Sequence, residues 1–179
     1  MKKVYMLGMM VVLAACFAYA ASLSVPWFVD SAGTPGKVPL VTTGVLGLVY
    51  LHNNLNEVVL CEIKYYSSIG HFMGPVGPDR NTFEIPALST VAFRPCKDDP
   101  ATSLGGQESP IAVLVPNRPT VAPGGEVWEK DAVPNGAIVI SWTTGGASDV
   151  QGIVLQCQNA DGGNNGRLTQ WGTLLPPGV

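Results

Sequence analysis

Charge is sparse in this chain: only 13% of its 179 residues are Asp, Glu, Lys or Arg. Beyond Lys2 and Lys3 the basic residues are scattered singly, so there is no concentrated patch for nucleic acid or an anionic membrane surface. Histidine is nearly absent. The two present, His52 and His71, have no Cys, His or carboxylate at metal-ligand spacing, so neither a metal site nor any other cofactor is expected. No Gly-x-Ser-x-Gly or comparable turn presents a nucleophile, and the chain is read as a non-enzyme. Long windows free of helix breakers are also missing, because Gly (21) and Pro (15) recur throughout. That excludes a helical protein and points to an all-β one.

Residues 4 to 15, VYMLGMMVVLAA, form an apolar run that is too short to span a bilayer once its small-residue flank is discounted, and it follows a positive Lys2-Lys3 pair. It has the form of a signal peptide occupying residues 1 to 20. Ala18-Tyr19-Ala20 supplies small residues at the −3 and −1 positions of a cleavage site, which leaves Ala21 as the first mature residue. Leu13-Ala14-Ala15-Cys16 is the competing route, since it looks like a bacterial lipobox whose Cys16 would carry a lipid. Phe17-Ala18-Tyr19-Ala20 continues the apolar run where a lipidated cysteine is more often followed by a polar tether, which favours simple cleavage. Only the lipidated form would touch a membrane. Residues 21 to 179 then make one domain with eight basic against 13 acidic side chains, a net charge of −5.

Period-two alternation places the strands. Leu23, Val25, Trp27 and Val29 share one face of a first strand, and Pro26, which has no ladder donor, makes it an edge strand. TGVLGLVYLH (43 to 52) and EVVLCEIKYY (57 to 66) are read as a hairpin joined at Asn53-Asn54-Leu55-Asn56. TFEIPALSTVAFRP (82 to 95) is two short strands bent around Pro86-Ala87-Leu88, and IAVLVP (111 to 116) is a short buried strand. Pro134-Asn135-Gly136 predicts a tight hairpin turn before AIVISW. Strands near 149 to 158 and 167 to 175 flank NADGGNNG, and the breaker-rich segments 67 to 81 and 97 to 110 are read as surface loops. Eight to ten short strands with regular turns predict a single β-sandwich. Over residues 44 to 95, the order of apolar strand, proline corner, Ser/Thr and alternating strand resembles immunoglobulin-like sandwich domains of bacterial surface proteins. The resemblance implies an immunoglobulin-like fold and carries no functional motif.

Three cysteines remain after cleavage, Cys61, Cys96 and Cys157, an odd number in an exported chain. One disulfide plus one thiol is the simplest arrangement. Cys61 with Cys96 is favoured because their strands are close in sequence, and three small buried side chains are the alternative. Asp98-Asp99 reads as a solvated turn. Asn159, Asp161, Asn164 and Asn165 put oxygens in a Gly-rich loop, but their spacing departs from a calcium loop. Of the four tryptophans, Trp27 and Trp142 are in register with apolar neighbours and are expected in the core, whereas Trp128 and Trp171 lie among polar residues and are the candidate ligand contacts.

The expected protein is thus exported, to the cell surface, the extracellular space or alternatively the periplasm. It is structural, working by self-association, as a filament subunit for example, or by docking to another envelope protein. The strand of Leu23, Val25, Trp27 and Val29 is the candidate assembly element, because a strand with an open ladder can complete its own sheet or a neighbour's. A glycan-binding or small-ligand module is the alternative.

Overall fold

The computed structural model describes residues 21–29, 44–75, 81–95, 115–119, 135–143, 146–159 and 168–175. The described residues form nine strands and no helix: β1 (Ala21–Val29), β2 (Gly44–Asn53), β3 (Val59–Ser67), β4 (Phe72–Gly74), β5 (Thr82–Ile85), β6 (Thr90–Phe93), β7 (Asn135–Trp142), β8 (Val150–Asn159) and β9 (Leu168–Leu174). All pairings are antiparallel. One sheet runs β1-β7-β3-β4 with β5 also on β3, and the other runs β6-β2-β8-β9.

Alternation decides what lies between the sheets. Val25, Ile63, Ile138 and Ile140 from the first sheet meet Val49, Leu51, Val91 and Val154 from the second in one buried cluster. The residues between them on each strand face outward, as the burial of β7 and β3 at every second position shows. Trp142 belongs to this core, as its register with Ile140 predicts, and its indole N–H donates to the Gly146 carbonyl.

β2 and β3 are not a hairpin. They lie in different sheets, so residues 54–58 carry the chain across the core as an arch. The segment after β5 does the same around Pro86-Ala87-Leu88: β5 pairs with β3 and β6 pairs with β2, so the two arches lie against each other. The side chain of Asn53 accounts for the crossing. It is buried, its Nδ2 donates to the carbonyls of Glu57 (2.7 Å), Pro86 (3.0 Å) and Ile85 (3.1 Å), and its Oδ1 accepts from the Leu55 N–H (2.8 Å). Two amide protons serve three carbonyls, so one proton is shared. Backbone bonds from Asn53 to Ser89, from Leu88 to Leu55 and from Asn54 to Asp149 close the same end.

Two further expectations are corrected. Asn135 and Gly136 are the first residues of β7 rather than a turn. Gly136 is required by close approach: a Cβ there would run into the Tyr66 carbonyl and come within 3.3 Å of the Phe28 ring. Within the segment read as a loop from 67 to 81, Phe72–Gly74 makes a three-residue strand on β3, too short to show a period. Of the strand expected at 111 to 116, Val115 and Pro116 are described and are not strand, although Val115 is buried in the core.

Candidate functional site

β1 pairs inside its own chain, with β7, from Ala21↔Trp142 to Val29↔Asn135. Its buried face differs from the expected one. Leu23 and Val25 point inward, but the next core residue is Phe28, while Trp27 is 47% exposed and Val29 is half-buried. The cause is a register shift: Val25 faces Ile138 and Phe28 faces Gly136, which leaves Pro26 and Trp27 together opposite the single residue Ala137. This is a β-bulge, and the extra residue reverses the alternation beyond it. Pro26, which has no N–H for the ladder, is one of the two residues in the bulge. Phe28 takes the core position, edge-on to Tyr65 with centroids 6.4 Å apart.

Among the described residues β1 has one neighbouring strand, β7, and no described strand pairs along its other side. No charged residue lies within Ala21–Val29. Natural edges are usually blunted by lysine, proline or a bulge; here Pro26 and the bulge guard the second half, and Ala21–Val25 carries none of these devices.

The bulge also sets up a row of rings across the outer face of the first sheet. Reading across the strands at this level, Trp27 stands over β1, Ala137 over β7, Tyr66 over β3 and Phe72 over β4. Tyr66 is half-buried, Phe72 is 36% exposed, and their ring centroids are 5.6 Å apart. Further along the face, Ser24, Val139 and Lys64 share one row, and Ser141, Glu62 and Thr82 lie in the next. Lys64 is neutralised by Glu62, with Nζ to Oε2 at 3.2 Å.

Two arginines that composition leaves among scattered surface charges are buried. Arg118 donates from Nε to the Pro95 carbonyl (3.0 Å), and its guanidinium lies over the Phe28 ring, 5.7 Å from the centroid. Tyr65 donates its hydroxyl to the Pro116 carbonyl (2.8 Å), so residues 115–119 are strapped beneath β1 and β3 at this end. Arg94, directly after β6, is equally buried. No apolar period marks either arginine, which is why sequence reasoning passes over them.

Cys61 is a free thiol on β3, with Trp142 and Phe83 as its cross-strand partners, and Cys96, its favoured partner in the sequence reading, lies outside the described residues. Cys61 fills core space, and burial pushes its thiol up to about 12. Cys157 is buried in a different cluster, beside Leu48 on β2, so the two cysteines do not share a packing environment. The Cys61 thiolate, the nucleophilic form, is therefore scarce near neutral pH. Iodoacetamide is expected to leave Cys61 unlabelled in native protein and to label it fully in urea, as read by peptide mass. Labelling in the native state at the rate of a free peptide thiol would contradict this environment.

Other sequence candidates are not brought together. Nδ1 of His52 is 2.9 Å from the Thr90 hydroxyl on the second sheet, while His71 follows β3 and its N–H bonds the Ser67 hydroxyl. Among the described residues no three His, Cys, Asp or Glu side chains gather at metal-binding distance. Cys16, Asp98, Asp99, Trp128, Asp161, Asn164 and Asn165 lie outside the described residues. Asn159 ends β8 opposite Leu168, and Trp171 sits on β9 opposite Gln156.

No protein-family model and no curated protein matches the chain. A solved structure titled "Crystal Structure of Thermotoga maritima 1070" is similar over 88% of this chain and 93% of that one, with a TM-score of 0.44 and 10% identity, a likeness that carries no argument about function.

Proposed function

We propose that the protein is exported, loses residues 1–20, folds as an immunoglobulin-like sandwich and serves as a non-enzymatic surface component that self-associates through β1. The observation that carries this reading is the uncharged edge of Ala21–Val25, along which no described strand pairs. Main-chain groups along such an edge accept another strand without any side-chain specificity. With β1 seated on β7 of its own chain, this reading has the strand offer its second side to a neighbour. Pairing of β1 with β1 of a second copy uses the same edge twice and closes as a two-fold dimer, whereas a filament needs β1 to meet a different edge of the next copy.

Sedimentation velocity on exported protein over the micromolar range is the test. The expected result is a dimer that Ser24→Lys, a charge placed on the open edge, converts to a monomer with an unchanged melting temperature. A wild-type chain that stays monomeric throughout overturns self-association, and filaments in electron micrographs would replace the two-fold arrangement with a head-to-tail one.

A further inference from the structure

We propose that the outer face of the first sheet is a binding platform for a neutral glycan chain, with Trp27 and Tyr66 stacking on its sugar rings. Neighbouring strands are about 4.8 Å apart, so β1 and β3, which carry these rings, run about 10 Å apart with the small Ala137 of β7 between them. That is the length of two pyranose rings joined end to end. Phe72, packed on Tyr66, extends the line by one more strand. A sugar ring has an apolar face and a rim of hydroxyls, and the sheet offers both complements: rings in the row, and hydroxyl or charged hydrogen-bonding groups of Ser24, Ser141, Thr82 and Lys64 in the rows beside it.

Charge chooses among occupants. Lys64 is the cation in these rows and is already paired with Glu62, so nothing here attracts an acidic polysaccharide or a nucleic acid. A protein partner is a poorer fit, since a stable interface buries about 800 Å² per side around a well-packed centre, whereas these rings lie in a single line with an alanine gap. The bulge gives the row its outer ring: without the extra residue opposite Ala137, the alternation of β1 would turn Trp27 inward. The platform does not depend on self-association, because pairing along the β1 edge leaves the sheet face uncovered.

The test is retention of purified exported protein on insoluble cellulose, chitin and xylan, with the acidic polymer alginate alongside. Retention on at least one neutral polymer is expected, insensitive to salt, with at least a tenfold loss of affinity for Trp27→Ala and for Tyr66→Ala. Tyr66→Phe, which keeps the ring, should retain most of the binding. Melting temperature and sedimentation of each variant are measured in parallel, and the loss must appear in folded protein of unchanged assembly state. Failure to bind any neutral polymer, salt-sensitive preference for alginate, or retention that survives both alanine variants overturns the proposal.

Discussion

Phe28→Ala is expected to lower unfolding free energy by about 3–5 kcal/mol, while Trp27→Ala lowers it by no more than about 1 kcal/mol. The two residues are adjacent in an apolar strand, and the larger, tryptophan, is the one that matters less. Phe28 is fully buried, packs edge-on against Tyr65 and supports the guanidinium of Arg118, so its removal leaves a cavity beneath a buried charge. Trp27 stands on the solvent side of the bulge and gives up only part of its area to neighbours. Urea denaturation of both variants compares them directly. Equal loss in the two, or a greater loss at Trp27, would mean that the strand continues its simple alternation through Pro26 and that no bulge exists.

Asn53→Ala is expected to cost about 3 kcal/mol or more, because it strands three carbonyls and one N–H of two adjoining arches at once. Asn53→Asp separates hydrogen bonding from shape. An ionised carboxylate has the amide's outline but donates nothing, and it would face the oxygens of Glu57, Ile85 and Pro86. Burial and those oxygens raise the folded pKa of that carboxyl above its unfolded value of about 3.9, so the variant is least destabilised at acid pH and loses stability as pH rises from there. Its difference from wild type in urea should therefore be larger near pH 7 than near pH 4. A pH-independent difference would mean that the side chain is solvated and does not tie the arches.

Apolar alternation was enough to locate most strands within a residue or two: 43–52 against Gly44–Asn53, 149–158 against Val150–Asn159, and 167–175 against Leu168–Leu174. It was also enough for the all-β class and for Trp142 in the core. It could not assign strands to sheets, because a period of two says which side chains share a face and nothing about the neighbour. An arch and a hairpin therefore look alike at Asn53–Asn56. What separates them is an amide reaching carbonyls more than thirty residues away. At Gly136 a residue pair typical of turns instead meets the demand of a crowded strand crossing. At Trp27 the proline that marked an edge also sits in a bulge, and one inserted residue reverses every later inside-outside assignment in the strand. The candidate platform escaped for the same reason, since its rings lie on β1, β3 and β4 and only the register brings them into line.

The pairing of β1 with β7, and of β2 with β8, bears on when the molecule can acquire its shape. Val29 and Asn135 are partners although more than a hundred residues separate them, and Gly44 meets Asn159 over a similar span. Synthesis proceeds from the N-terminus, so β1 must wait for β7, and β2, which can meet β6 earlier, must wait for β8 on its other side. Closing such long loops makes folding slow, and it leaves β1 without its partner strand, and one side of β2 and of β3 unpaired, until β7 and β8 arrive. The growing polypeptide therefore completes neither sheet until nearly all of it has been made.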